Sequence, residues 1–411
     1  MKIVFYNHTG KVSGAERLLL SAVTRLDAGE FDRIMVCPTD GPLAGLAAEA
    51  GMTVHTVADL EARFTWRPGV FIRYCKSFVG VISNFRRKII QLNPDLIHAN
   101  SIRAGLVATF ATLGLKMKVV WHLHDLLPRH PLSSAIRSVA ALSKRSRMIA
   151  ISQAVRKNFC GQLSPSLKHR TAVILNAIDL KNFCATGDDR EEIRSGLSLA
   201  KDDFAIGIVG QLTPRKGQME LLEAFAELSR KVPQAVLVIV GAAIFKHDFE
   251  YEQLLRSTAE RLGISDRVKV LGARKDVSAI MRALDLLVVN SRREPFGLVA
   301  CEAMACGTPV LATACDGLPE IIDHQRNGWL APFGDQQTLV DALAFLAERP
   351  DVRGTMAGVA REDVAQRFTL ERYMNELQSF YREQARQYDW SATVPVATTA
   401  SETLALQSTR N

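Results

Sequence analysis

The sequence predicts an α/β protein of two domains, in which short buried strands alternate with helices. Three observations carry this. The chain has 411 residues, enough for two hydrophobic cores. Its apolar fraction of 47% and charged fraction of 23% are ordinary for a soluble α/β protein. Short apolar runs recur between amphipathic stretches with helical spacing, the pattern of repeated strand–helix units.

In the first half, KIVFYNH (2–8), DRIMVCP (32–38), TVHTV (53–57), PDLIHANS (94–101), KVVWHLHD (118–125), RMIAIS (147–152) and TAVILNAID (171–179) predict strands. A polar turn, S-G-A-E at Ser13, Gly14, Ala15 and Glu16, opens a helix after the first strand. Without a Cβ, Gly14 lets backbone approach a phosphate closely. The fifth strand ends in His122, Leu123, His124 and Asp125. Open α/β sheets bind ligands at the carboxyl ends of their strands, so His124 is a candidate site residue and His122 a structural one. No third metal ligand accompanies this His-x-His pair, and no metal site is expected.

Between residues 63 and 92 the apolar residues Phe71, Tyr74, Cys75, Phe78, Ile82, Phe85, Ile89 and Leu92 recur at helical spacing. Arg73, Lys76, Arg86, Arg87 and Lys88 surround them, with Arg63, Trp66 and Arg67 just before. Such a helix either packs its stripe on the sheet or docks on anionic lipid. Charge favours an anionic contact: residues 1–181 carry 25 Lys and Arg against 11 Asp and Glu, the remainder 26 against 32. The basic residues are not interleaved with stacking aromatics, so nucleic acid is not an expected partner. Cys37, Cys75, Cys160, Cys184, Cys301, Cys306 and Cys315 form no C-x-x-C pair, which predicts reduced thiols in a cytoplasmic protein. No eighteen-residue apolar run predicts a spanning helix, and the N-terminus reads as a strand rather than a secretory signal.

A polar stretch from 186 to 200 predicts the linker into the second domain. DFAIGIVGQL (203–212) is a strand that leads through Thr213, Pro214, Arg215, Lys216 and Gly217 into a helix. Strands at 235–241 and 268–277 follow. The most informative stretch is NSRREPFGLVACEAMACGTPVLATACDGLPE (290–320). Pro295 biases Glu294 towards extended backbone, and a helix is expected over residues 297–306, with Glu302 about a turn inside it. Two carboxylates thus flank a helix N-terminus, whose free N–H groups favour an anion. Carboxylates repel phosphate and suit hydroxyls, so the stretch fits a phosphate held between hydroxyl-bearing groups, as in a nucleotide-sugar.

This block, together with S-G-A-E, R-K-G at Arg215–Gly217 and N-A-I-D at 176–179 (Ala177 replaces the usual glycine), resembles the family 4 retaining glycosyltransferases. The resemblance spans the chain to about residue 388. It implies a GT-B arrangement of two Rossmann-like domains facing a central cleft, at 1–185 on the acceptor side and 186–368 on the donor side. It also implies a helix at 369–389 crossing back to the first domain; the Thr/Ala/Ser-rich residues 390–411 are expected to be a disordered tail. The activity implied is metal-independent transfer, with retention, from a UDP- or GDP-sugar to a hydroxyl of a polysaccharide or lipid-linked glycan. The nucleotide-sugar is a co-substrate, and no cofactor is implied. Arg215 and Lys216 would meet the diphosphate, with backbone N–H groups of Gly14, Phe296, Gly297, Leu298 and Val299. Glu294 would hold the sugar and Glu302 the ribose, while Ala273 and Arg274 lie along the base. His124 would face the reacting centre, with Ser13, Glu16 and His122 on the acceptor side. A location on the inner face of the cytoplasmic membrane follows from the basic segment. A GT-B epimerase or phosphorylase-type enzyme, or a non-catalytic nucleotide-sugar-binding module, remains an alternative.

Overall fold

The computed structural model describes residues 1–60, 67–161, 165–186, 190–243 and 248–386. Arg63, Trp66, the last residues of the expected C-terminal helix and the tail at 390–411 lie outside the described residues. In chain order the elements are β1 (Lys2–Tyr6), α1 (Gly14–Val23), β2 (Asp32–Cys37), α2 (Leu43–Glu49), β3 (Thr53–Thr56), α3 (Pro68–Leu92), β4 (Leu96–Ala99), α4 (Ile102–Ala111), β5 (Lys118–Leu123), α5 (Pro131–Leu142), β6 (Ser146–Ala150), α6 (Gln153–Cys160), α7 (Pro165–His169) and β7 (Thr171–Val173). They continue as α8 (Arg190–Gly196), β8 (Phe204–Val209), α9 (Gln218–Lys231), β9 (Ala235–Val240), α10 (Phe249–Arg261), β10 (Val268–Val270), α11 (Val277–Ala283), β11 (Leu286–Val289), α12 (Leu298–Ala305), β12 (Val310–Thr313), β13 (Trp329–Ala331), α13 (Gln336–Glu348), α14 (Pro350–Arg367) and α15 (Leu370–Arg386). Two compact units result, one of residues 1–150, 156–173 and the chain from 378, the other of 151–155 and 174–377.

The first unit holds a parallel sheet in the order β3-β2-β1-β4-β5-β6-β7. Its central strands are continuous apolar runs because helices cover both faces; Ile3, Val4, Phe5 and Tyr6 are fully buried. Trp121 on β5 lies against Gly105 of α4 and donates from its indole N–H to Thr109 Oγ1 at 3.0 Å. A Cβ at residue 105 would stand 2.3 Å from that ring, so only glycine allows the approach.

The long helix α3 forms where the spacing predicted it, but its apolar stripe divides differently. Val81, Phe85 and Ile89 are buried, with Phe85 stacked on Tyr6 at 4.0 Å, and Phe78 meets Phe110 edge-on. Phe85 and Ile89 therefore belong to the core rather than to a lipid-facing stripe. Helical spacing identifies a face but not what covers it. Among the described side chains of α3, Ile72, Cys75, Val79 and Ile90 are exposed, beside exposed Arg73, Lys76 and Arg87.

The second unit holds a parallel sheet in the order β10-β9-β8-β11-β12-β13. Leu221, Phe225, Leu237, Leu286 and Leu343 lie in its core. Asp285, just before β11, ties this unit together. Its carboxylate takes Arg190 Nη2 at 2.7 Å, Arg194 Nη1 at 3.1 Å and the Ala205 N–H at 2.8 Å. Arg194 is almost fully buried; it pairs with that carboxylate and also donates to the carbonyls of Ala200, Asp203 and Ala283.

Replacing Asp285→Ala should destabilise the second unit by roughly 3 kcal/mol, because a buried cation loses its partner. The urea midpoint reads this. Gly105→Ala should cost about 1–3 kcal/mol by overpacking against Trp121, with near-ultraviolet circular dichroism reporting the displaced indole.

Candidate active site

In a parallel sheet every strand delivers the residue after it to the same edge. A crevice opens where consecutive connections turn in opposite directions. In the second unit that switch lies between β8 and β11, and in the first between β1 and β4. Residues 210–217 follow β8, and residues 290–297 follow β11.

These two loops are locked together. Asn290 donates from Nδ2 to the Gly217 carbonyl at 2.9 Å, and the Arg292 N–H donates to the Arg215 carbonyl at 2.9 Å. Gly217 has a φ of 69° and would place a Cβ 2.0 Å from the Asn290 oxygen, so this junction requires glycine. Its consequence is the contact of Lys216 Nζ with Glu294 Oε2 at 2.6 Å, both side chains being largely buried. Ser291 Oγ donates to the same carboxylate oxygen at 2.9 Å. Arg215 stays exposed, its Nη1 donating to the Arg293 carbonyl at 3.2 Å.

Gly297, with a φ of 116°, starts α12. The Phe296 side chain is buried and meets Phe368 edge-on, so Phe296, Gly297, Leu298 and Val299 can offer main-chain N–H groups at the helix start. Glu302 is half-buried, about 6 Å further along the axis. Asp316, in the left-handed region at φ 45°, holds the loop by accepting from the Glu294 N–H at 3.1 Å and Arg293 Nε at 2.7 Å. Glu320 accepts from the N–H groups of Gln153 and Ala154, residues of the same unit; burial raises its pKa above the usual carboxylate range. Ala273 and Arg274 follow β10 and are exposed, and Arg274 closes a bidentate pair with Asp276 at 2.6 and 2.8 Å.

In the first unit, Ser13 and Gly14 begin α1, and Glu16 turns back to accept from the Ser13 N–H at 2.9 Å and hydroxyl at 2.5 Å. Glu16 is thus a buried helix cap, while Ser13 and Gly14 remain exposed. His122 is buried, with Nδ1 3.2 Å from His98 Nε2; His98 Nδ1 in turn meets the Tyr381 hydroxyl at 2.8 Å. His124 stands over His122 at 4.0 Å between rings, and its Nε2 lies 3.0 Å from Asn100 Oδ1. Burial lowers the pKa of His124 to about 4 and that of His98 to about 3, and pushes His122 well below the ordinary value. All three are neutral at neutral pH.

Lys216 with Glu294, and Arg215 beside them, are brought together as a pair of loops; Arg274 is held by its own partner. Ser291, Asp316, Asn290 and Asn100 escaped sequence reasoning. Their one signal was position: a polar residue directly after an apolar strand, or in the loop following a helix–strand unit. Among the described residues no group of three or more His, Cys, Asp or Glu side chains could hold a metal ion.

Residues 189–363 match the family described as glycosyl transferases group 1, and residues 12–182 match glycosyltransferase family 4. A D-inositol 3-phosphate glycosyltransferase of Saccharomonospora viridis is 31% identical over 306 residues, covering 70% of each chain. An N-acetyl-alpha-D-glucosaminyl L-malate synthase of Bacillus anthracis is 26% identical over 297 residues, 70% of this chain and 74% of the relative. Anabaena Alr3699/HepE, solved in complex with UDP, superposes with a TM-score of 0.80 at 29% identity, covering 93% of this chain and all of that one. Its complex with UDP-glucose gives 0.79. The chain is therefore a glycosyltransferase of the GT-B type and belongs to the family 4, group 1 glycosyltransferases.

Proposed function

We propose that the protein is a retaining hexosyltransferase that takes its sugar from a UDP-sugar. The observation that carries this is the convergence of Lys216, Glu294, Ser291 and the start of α12 at the switch point of the second sheet. A departing nucleoside diphosphate gains charge as the C1–oxygen bond breaks, and charge-assisted contacts from Arg215 and Lys216 stabilise it. Backbone N–H groups of Phe296 to Val299 add to this without a divalent cation. Glu294 holds sugar hydroxyls and Glu302 the ribose, with Ala273 and Arg274 along the base. His124 presents a neutral imidazole to the reacting groups. The acceptor oxygen bonds to C1 on the face that the diphosphate leaves, and its proton passes to the departing phosphate oxygen. The UDP and UDP-glucose complexes of Anabaena Alr3699/HepE support uridine over guanosine as the base.

For the acceptor we propose a hydroxyl of a growing polysaccharide or lipid-linked glycan, met at the inner face of the cytoplasmic membrane. The exposed Ile72, Val79 and Ile90 beside Arg73, Lys76 and Arg87 on α3 support contact with anionic lipid. A second reading, a small polyol phosphate as acceptor, is favoured by the similarity to the inositol 3-phosphate enzymes. An epimerase would need the same donor side, but Arg215, Lys216, Glu294 and Glu302 together argue for a complete transfer site over a bare binding module.

A thermal-shift panel of UDP-, GDP- and ADP-sugars tests the donor. A UDP-sugar at a hundred times its dissociation constant should add about 2.7 kcal/mol of stability, and Glu302→Ala and Lys216→Gln should each lose most of that shift. A response to no nucleotide-sugar would remove the transferase assignment of these residues. With donor and acceptor supplied, the product should keep the donor's anomeric configuration by proton NMR, and activity should survive a chelator. In flotation with vesicles containing phosphatidylglycerol, the protein should bind and Lys76→Glu with Arg87→Glu should release it; equal binding to neutral vesicles would count against the charge contact.

A further inference from the structure

Asn7, Asn100 and His124 each stand one position beyond the end of a strand, after β1, β4 and β5, which are adjacent in the first sheet. Tyr6 pairs with Ala99 in the parallel register, so the two asparagines lie side by side at the edge. Their own backbones are secured: the Asn7 N–H donates to the Val36 carbonyl at 3.0 Å and that of Asn100 to the Tyr6 carbonyl at 2.9 Å. Both are buried, at 0% and 1% exposure, so their side-chain amides must be satisfied within the protein. They form one directed chain. Asn7 Nδ2 lies 2.7 Å from the Thr9 carbonyl, Asn100 Nδ2 lies 3.3 Å from Asn7 Oδ1, and His124 Nε2 lies 3.0 Å from Asn100 Oδ1.

The direction of this chain is set at its far end. A backbone carbonyl can only accept, so the Asn7 amide must turn its NH2 towards Thr9 and its oxygen towards Asn100. Asn100 must then donate to Asn7 and present its own oxygen to His124. An oxygen at 3.0 Å from a ring nitrogen requires a proton on that nitrogen. We propose that Asn7 and Asn100 are positioning residues that fix His124 as the Nε2–H tautomer, leaving Nδ1 as a lone-pair acceptor for a substrate hydroxyl.

The chemistry this selects is specific. The imidazole is held neutral by burial and cannot turn a proton towards the substrate from Nδ1. It therefore accepts from a hydroxyl and rejects a carbonyl or phosphate oxygen at the same place. The titratable groups facing it are His122 at 4.0 Å between rings and, beyond that, His98, both neutral; Asp125 follows it in the chain. This proposal rests on His124 meeting substrate, as set out above, but the tautomer can be read without any substrate.

The test uses the full chain labelled with 15N-histidine, with His124→Gln for assignment. Long-range 1H–15N correlation of the free protein at neutral pH should show His124 protonated at Nε2 and bare at Nδ1. Protonation at Nδ1 would overturn the proposal even if nucleotide-sugars bind. Asn100→Asp keeps the acceptor at Nε2 but adds a negative charge that raises the His124 pKa. Below that raised value the cation carries a proton on both nitrogens, and its Nδ1 can no longer accept. The variant should therefore gain an acid limb in kcat/KM between about pH 5 and 8, falling tenfold per unit, where the parent is flat. The UDP-induced thermal shift should stay as in the parent. A variant profile identical to the parent's would also overturn the proposal. Running the limb on donor hydrolysis alone and then on transfer tells whether the hydroxyl belongs to the donor sugar or to the acceptor.

Discussion

Parallel pairing is the constraint from which the chemistry of this chain follows. A parallel strand needs a crossover connection before its neighbour can be laid down, so the strands of each described sheet all end at one edge. That edge collects the residues after the strands without any further instruction. Asn7, Asn100 and His124 assemble this way in one sheet, and the loops after β8 and β11 do so in the other. Apolar burial makes the sheets, and the sheets then decide which polar residues become neighbours.

At the second edge the decisive contact is electrostatic. Lys216 and Glu294 are 78 positions apart and 2.6 Å apart. A largely buried pair contributes little to net stability, since desolvation offsets much of the attraction. Its value lies in placement, because each charge holds the other in one position before any ligand arrives. Gly217 and Asn290 make the pair possible by letting the two loops touch through their backbones.

The fold was legible because strand runs such as DRIMVCP (32–38) and amphipathic helices such as α9 are local patterns. Glu294, Glu302, Arg215 and Lys216 stood out as candidates for another reason: they lie in contiguous motifs, and the fold brings Lys216 and Glu294 of two such motifs into contact. What escaped was everything that depends on the partner across space. Periodicity placed α3 but did not say that Phe85 would face Tyr6 while Val79 faced outward. The bond of Glu16 to Ser13 is different, a local S-x-x-E helix cap between residues only three positions apart. Asn7 and Asn100 are unremarkable in the chain and acquire direction only through a carbonyl two residues after one of them. Ala177, where the family has glycine, fits because its backbone is not among the positive-φ residues, which outside glycine are Asn93, Ser198, Asp316 and Gln325 in the described chain.

The loop from Phe296 to Val299 turns its first side chain into the core, where Phe296 meets Phe368, and its main chain towards the start of α12. Main-chain amides survive almost any substitution, whereas a carboxylate such as Glu294 is lost or moved by a single codon change. Under the transfer proposed above, the part of the pocket that would meet what all activated sugars share is thereby shielded from mutational drift. The part that would distinguish one sugar from another is left open to it, and a lineage could change what it transfers while keeping how it grips the carrier.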